Sequence, residues 1–204
     1  GALHPFIAAL NAAGYDAAAL GNHDFNYGLD FLSAALAGAR FPVVVANVRT
    51  AEGAPFLPPF TILDRAVTDG HGTPHPLRIG VIGLLPPQIM LWDRMHLAGR
   101  LVARDIVDTA AEMIPRMRAA GADIVIALAH SGIGPGVHES GMEHATVPLA
   151  ALPGLDAIVA GHSHLVFPGP DHAAVAGVDA AAGTIHGTPV AMAGFWGSHV
   201  AVVD

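Results

Sequence analysis

The residues best suited to chemistry are His162 and His164, in the run Gly161-His162-Ser163-His164. Upstream, residues 154–160 read as a turn followed by a short apolar strand. The two histidines therefore sit where a buried strand ends, the place at which open α/β sheets carry their ligands. Residues two apart on a chain leaving a strand address two neighbouring points in space, and the glycine before them lets the backbone turn closely. Such a pair suits two adjacent metal ions; taken alone it equally describes a histidine-containing surface turn. Two further strand ends weigh against the surface turn. An apolar run through Leu20 delivers the chain to Gly21-Asn22-His23-Asp24, and the run from Asp123 to Ala129 hands directly to His130. Imidazole nitrogen and amide oxygen are borderline ligands suited to manganese, iron or zinc. Two such ions held close together can clamp both the attacking and the leaving oxygen of a phosphoryl transfer.

The elements that must position these groups follow from periodicity and punctuation. Pro5 to Ala13 reads as a helix with Phe6, Ile7 and Leu10 on one face and Gly14 as its stop. Tyr15 to Leu20 reads as a buried strand, Leu29 to Ala37 as a helix closed by Gly38, and Phe41 to Val48 as a strand rich in β-branched residues. Residues 49–76 collect glycine and proline, and only Phe60 to Val67 alternates, so this stretch is expected to be a peripheral, hairpin-like insertion. Leu77 to Leu85 is a strongly apolar strand that Pro86-Pro87 terminates. Arg104 to Ala120 is the most regular helix, capped by Gly121, with Pro115 expected to kink or weaken it. Then come a glycine-rich loop over residues 133–142, a short helix from Glu143 to Leu152, and an irregular stretch to Thr188. Two last strands are expected at Pro189 to Ala193 and Val200 to Val203. Strands alternating with helices indicate an α/β sheet covered on both faces.

Composition narrows the classes of function. The 204 residues suit one domain, and 52% hydrophobic against 13% charged residues indicates a packed core. The apolar runs fall well short of the ~20 residues a membrane helix needs, so no membrane insertion is expected. Nine Lys+Arg against 17 Asp+Glu, a net charge of -8 and no basic stripe argue against polymeric nucleic acid as a partner. The absence of cysteine excludes thiolate zinc sites and disulfides. Residues 1–5 show no signal-peptide pattern. Thirteen histidines against nine Lys+Arg is a marked excess, consistent with metal chemistry or with compositional drift.

In Gly21-Asn22-His23-Asp24, in His130 behind its apolar strand and in Gly161-His162-Ser163-His164, the sequence resembles the calcineurin-like metallophosphoesterases. The match is to the last three of that family's motifs, in order. The stretches from Leu20 to Asp30, from Phe41 to Asn47, Pro86-Pro87-Gln88-Ile89-Met90, residues 129–132 and Phe195-Trp196-Gly197 narrow it. Over essentially the whole chain they resemble bacterial periplasmic 2′,3′-cyclic-nucleotide 2′-phosphodiesterase/3′-nucleotidases. The resemblance implies a layered α/β/β/α sandwich and two divalent metal ions (Mn, Fe, Zn or similar). It implies Asn22, His130 and His162 on one ion and His164 on the other. It implies His23 beside the substrate phosphate, stabilising developing charge and able to protonate the leaving oxygen. Asp24 would orient that region, with capping of the following turn as its equal alternative. A nucleotide substrate and a periplasmic location come with the same resemblance; it assigns no substrate-binding residues and no oligomeric state. In related 5′-nucleotidases an aspartate pairs with the histidine equivalent to His23. That position here is Asn26, as in the cyclic phosphodiesterase branch.

The family's first two motifs, an Asp-x-His and a Gly-Asp whose aspartate bridges the metals, have no counterpart in residues 1–204. Neither does its C-terminal nucleotide-binding domain. Asp69-Gly70-His71 does not serve instead, because it follows the Asn22 motif and lies in the Gly/Pro-rich stretch. The expectation is therefore a partial metallophosphoesterase domain over 1–204, incomplete at its N-terminal side, with partial metal occupancy or none. Three functions compete. The first is hydrolysis of 2′,3′-cyclic nucleotides and 3′-nucleotides by the parent protein. The second is a 5′-nucleotidase or sulfur-oxidation hydrolase of the same fold, against which Asn26 and Pro86-Pro87-Gln88 argue. The third is a catalytically inert α/β fragment. His4, His71, His75, His96, His138, His144, His172 and His186 are expected to be surface residues. His199 is a weaker candidate for the cleft and Asn47 for the site, and Phe195-Trp196 is expected to pack.

Overall fold

The computed structural model describes residues 3–203. In chain order the elements begin with α1 (Pro5–Ala13), β1 (Ala18–Ala19), a 3₁₀ turn (Asn22–Phe25), α2 (Gly28–Leu36), β2 (Val43–Val44) and β3 (Val48–Thr50). They continue with β4 (Phe60–Thr68), β5 (Pro74–Leu84), α3 (Ile89–Trp92), α4 (Arg94–Leu97), β6 (Leu101–Ala103), α5 (Ile106–Ala119) and β7 (Ile124–Ala129). The last are α6 (Thr146–Ala150), β8 (Ala157–Ala160), β9 (Val166–Phe167), β10 (Val178–Asp179), β11 (Thr184–Ile185) and β12 (Thr188–Ala193).

The main sheet runs β10-β11-β12-β8-β7-β5-β4, with β9 paired to β12. Its centre, β5, β7, β8 and β12, is parallel. These strands are apolar runs buried on the α5 face, while on the other face Leu128, Ala129, Val159 and Ala160 of β7 and β8 line a cavity and Val159 is exposed. On one face α5 lays down Ile106, Ala110, Met113, Ile114 and Met117, and with α6 they close a core over Ile82, Leu84, Val125, Ala127 and Ile158. Asp105 starts α5 by accepting from Asp108 N at 2.8 Å. Pro115 sits inside α5 without interrupting it.

Over the other face lies the parallel pair β1–β2. The approach is close: a Cβ on Gly83 of β5 would stand 2.0 Å from Val44 O, so no side chain fits between the layers there. A second core gathers Leu20, Phe25, Leu29, Leu32, Val45, Leu85, Ile89 and Leu97 around this small sheet, the 3₁₀ turn and α2 to α4. The expected α/β/β/α layering is present, with two strands in the second sheet among the described residues.

Several boundaries differ from the sequence reading for local reasons. The run from Phe41 to Val48 is not one strand. Ala46 N turns away to donate to Gly83 O at 2.7 Å, and the Asn47 side chain bonds Leu85 N, Leu85 O and Arg104 O. Asn47, fully buried, is thus a clamp between β5 and the start of α5 rather than a site residue. The expected insertion is integral: β4 pairs with β5 from Phe60↔Ile82 to Thr68↔Pro74 as an edge of the main sheet. Residues 51–59 are turns and bends that lead into this hairpin, and its tip is a turn held by Asp69 Oδ1, which accepts from His71 N and Thr73 N. The stretch to Thr188 carries three short strands, β9, β10 and β11, and a 3₁₀ turn (Pro170–His172) rather than loop alone. Val200 to Val203 forms no strand and is exposed. No helix among the described residues is long and apolar enough to cross a membrane.

Candidate metal centre

Three chain segments leave the sheets at one place. The register Leu84↔Ala129 and Ala129↔Ala160 brings the ends of β5, β7 and β8 level, so His130 and the Gly161 run emerge side by side. His130 N donates to Leu84 O at 2.8 Å and Gly161 N to Ser131 O at 3.2 Å, which carries the ladder one step past the strands. From the small sheet, Gly21 leads into the 3₁₀ turn with φ -106° and ψ 179°. A Cβ at Gly21 would lie 2.8 Å from His130 Cε1, so the turn can lie against the imidazole only because this position has no side chain.

Asn22 Oδ1 meets His130 Nε2 at 2.9 Å. The His130 and His162 rings stand 5.1 Å apart, centroid to centroid. His162 has φ 70° and His164 φ 63°, both left-handed. For residues with a Cβ this conformation costs about 1–2 kcal/mol each, and such strain gathers where side chains must be aimed. His162 is held on two sides. Its Nε2 pairs with Glu143 Oε1 at 2.7 Å, and the Trp92 indole stacks on its ring at 5.7 Å and 28°. Buried Ser131 pins the segment bearing Glu143, donating to Glu143 O and accepting from Ala145 N, both at 2.7 Å.

His164 does not join this cluster. It is exposed and stacks on Phe195 at 5.3 Å. Among the described residues, two groups bring three His, Asp or Glu ligand atoms within 4.8 Å of one another: Glu143, His144 and His162; and Asp105, Asp108 and His138. The trio His130, His162 and His164 is not one of them. In the second group Asp105 is already engaged, capping α5, accepting from Gly141 N and meeting His138.

Burial, and then the charges of His162, His23 and His164, hold the His130 imidazole down to about 4. Near neutral pH its ring is uncharged and keeps a lone pair for a cation. An amide oxygen and two imidazoles converging from three segments are a donor set that fits a borderline divalent ion. Among the described residues His164 belongs to no such group and stacks on Phe195 instead, so the residues fit one ion better than two.

His23 is exposed and turns its Nδ1 to Asn26 Oδ1 at 2.7 Å; Asn26 Nδ2 donates to Asp93 Oδ1 at 2.9 Å. Asp24 Oδ2 accepts from Gly21 N at 2.7 Å, which is the capping alternative. Desolvation raises the Asp24 carboxyl above its ordinary value, against the pull of the Gly21 N–H and the His23 charge. A cavity of about 680 Å³ opens beside the turn, lined by Tyr15, Phe31, Phe41, His23, Asp24 and His130 among others.

The sequence reading missed Glu143, Trp92 and Asp93. Glu143 was assigned to a helix that begins only at Thr146. Trp92 and Asp93 directly follow the Pro86-to-Met90 stretch, but nothing in their spacing ties them to residues far away in the chain. His144, expected on the surface, lies 5.5 Å from the His162 ring with Nδ1 buried and unpartnered among the described residues. His172, also expected on the surface, is 6% exposed, packed beside Phe167.

Comparison with known proteins bears on this geometry. Residues 2–166 match the profile of the family described as "Calcineurin-like phosphoesterase". The chain is 48% identical over 207 residues to a 2′,3′-cyclic-nucleotide 2′-phosphodiesterase/3′-nucleotidase of Salmonella typhimurium, covering 100% of this chain and 32% of that protein. It is 46% identical over 202 residues to the trifunctional nucleotide phosphoesterase protein YfkN of Bacillus subtilis, covering 98% of this chain and 14% of that one. A crystal structure of the calcineurin-like phosphoesterase YfkN superposes with a TM-score of 0.93 at 47% identity, covering 96% of this chain and 59% of the other. The chain thus spans about a third or less of the length of these full-length relatives.

Proposed function

Because this chain belongs to the calcineurin-like phosphoesterase family, we propose that its clustered strand ends form part of a divalent-metal centre for hydrolysis of nucleotide phosphoesters. The substrates proposed are 2′,3′-cyclic nucleotides and 3′-nucleotides, the class named for the Salmonella relative. The observation that carries the proposal is the convergence of Asn22, His130 and His162 from three separate segments.

Asn22, His130 and His162 would hold one ion, and His164 would reach a second. Bound there, a divalent ion of the manganese, iron or zinc kind supplies positive charge that offsets the charge developing on a phosphoryl group in flight. The chain's own residues then divide the work. His130 stays uncharged and adds no repulsion to a cation. Glu143 and Trp92 fix the His162 ring so that Nδ1 is the nitrogen left to bind. His23, with its Nδ1–H engaged by Asn26, keeps Nε2 free, and as the imidazolium it would present a proton there to the phosphate oxygens or the leaving alcohol. Asp24 holds the turn that presents both Asn22 and His23. The protein is proposed to work in the periplasm, and the 204 residues to be part of a larger catalytic unit that supplies a bridging carboxylate.

The test is hydrolysis of 2′,3′-cyclic AMP and 3′-AMP with added Mn²⁺ or Zn²⁺, by this chain and by a form extended with the family's Asp-x-His and Gly-Asp motifs. Turnover by the extended form, lost in Asn22→Ala and His130→Ala, is the expected result. No turnover by either form overturns the proposal.

A further inference from the structure

We propose that Asp93 is a positioning residue for His23, acting through Asn26 over a sequence separation of 67 residues. The link is directional. A carboxylate only accepts, so the Asn26 end that faces Asp93 must be the amide Nδ2, which donates to Asp93 Oδ1 at 2.9 Å. The carbonyl end is then turned to His23, and because a carbonyl oxygen only accepts, His23 must carry its hydrogen on Nδ1. One fixed carboxylate thereby sets the tautomer and heading of an exposed imidazole. Nε2 makes no side-chain hydrogen bond among the described residues and is left facing outward.

Nothing else in the fold explains this carboxylate. Asp93 is 5% exposed at the junction of α3 and α4, its N–H bonded to Ile89 O and its carbonyl accepting from His96 N and Leu97 N. Its side chain does not cap α4, and Oδ2 has no partner among the described residues. A buried, half-satisfied carboxylate is costly, and among the described residues the Asn26 amide is the one group its side chain engages. The interposed amide also differs from a direct carboxylate–imidazole pair. It orients the ring without placing a full negative charge directly against it.

The tautomer itself can be read without metal or activity, by long-range ¹H–¹⁵N correlation of the histidine rings in the metal-free 204-residue chain, at a pH where they are uncharged. His23 is expected as the Nδ1–H form. Asp93→Asn lets the Asn26 amide turn either way, and the ratio should move about fivefold toward Nε2–H, the worth of one hydrogen bond. Asn26→Ala should do the same, at a cost in stability from the Asp93 carboxylate it leaves without a partner, which urea unfolding reads separately. The double variant Asn26→Asp/Asp93→Asn should restore the Nδ1–H form, since the donor and acceptor roles are exchanged. His75, paired with Asp69, should not change in any of them. An Nε2–H His23 in the unaltered chain, or a ratio that neither Asp93→Asn nor Asn26→Ala moves, overturns the proposal.

The kinetic consequence rests on the phosphoesterase reading, whereas the ring spectrum does not, so the two can fail separately. In a hydrolytically active form, His23 would act as the imidazolium, giving its Nε2 proton to the leaving alcohol oxygen and being left as the Nδ1–H imidazole that Asn26 accepts from, so Asp93→Asn should lower kcat on 2′,3′-cyclic AMP with KM unchanged. On bis(p-nitrophenyl) phosphate, whose leaving group needs no proton, kcat should hold. Equal losses on both would refute the link to proton delivery.

Discussion

Gly21→Ala isolates the contact on which the proposed centre depends. The backbone at Gly21, φ -106° and ψ 179°, is open to any residue, so the substitution carries no conformational penalty and its effect is one of space. The new methyl would stand 2.8 Å from His130 Cε1, 2.9 Å from Nδ1 and 3.0 Å from Nε2. Carbon atoms in contact need about 3.5 Å, so the ring must retreat by roughly 0.7 Å. That lengthens the 2.9 Å contact between Asn22 Oδ1 and His130 Nε2 to about 3.5 Å, the limit of hydrogen bonding. His130 cannot follow by moving its backbone, since its N–H is tied to Leu84 O. A displacement of this size at a ligand should weaken divalent metal binding about 10- to 100-fold, with a stability loss of about 1–3 kcal/mol. Calorimetric Zn²⁺ or Mn²⁺ titration paired with urea unfolding separates the two effects. Gly70→Ala is the control, because its methyl would meet nothing within 4 Å. Metal affinity unchanged in a folded Gly21→Ala chain, or equally reduced in Gly70→Ala, would refute the reasoning.

Three other outcomes follow from the same geometry. His164→Gly removes an exposed side chain held at φ 63° and should raise stability by about 1 kcal/mol, or roughly 2–4 °C in Tm, while any second-ion binding is lost; calorimetric melting checks it. Asn47→Ala strips three hydrogen bonds from the buried junction of β5 and α5 and should cost about 2–4 kcal/mol in urea unfolding, a site residue's loss of activity alone being the contrary result. His130 is held down to about 4 in the folded chain, so between about pH 6.5 and pH 4 the unfolded chain binds a proton that the folded one refuses. The stability of the metal-free protein should therefore be complete above about pH 6.5 and fall by about 3 kcal/mol as the pH drops toward 4. Burial lowers His172 as well and adds in the same direction. The unfolding midpoint in His130→Gln should show a shallower slope over that range.

Much of this arrangement was legible because it is written in short-range signals. The helix Pro5–Ala13 runs from its proline to Gly14 as read, the parallel core strands β7 and β8 are apolar runs whose ends carry His130 and His162, and β1 of the small sheet leads into Asn22. What escaped the reading depends on contacts between distant segments. Asn47 looks like a strand residue until the side chain is seen closing on Leu85 and Arg104. Glu143 meets His162 in a segment that Ser131 pins, and Asp93 meets Asn26 from the α3–α4 junction, 67 residues away in the chain. The β4–β5 hairpin was read as peripheral because proline and glycine crowd its sequence. Yet a nine-residue pairing holds it to the sheet, with glycine and aspartate doing the turning at its tip.

The most direct test of the proposed centre is metal content. Chain loaded with Mn²⁺ or Zn²⁺ and freed of excess would be assayed by elemental analysis beside Asn22→Ala, His130→Ala, His162→Ala and, as a surface control, His71→Ala. About one ion per chain, retained in His71→Ala and lost in the other three, is the expected result. An ion that survives loss of Asn22 and His130, or no ion in any form, would contradict it.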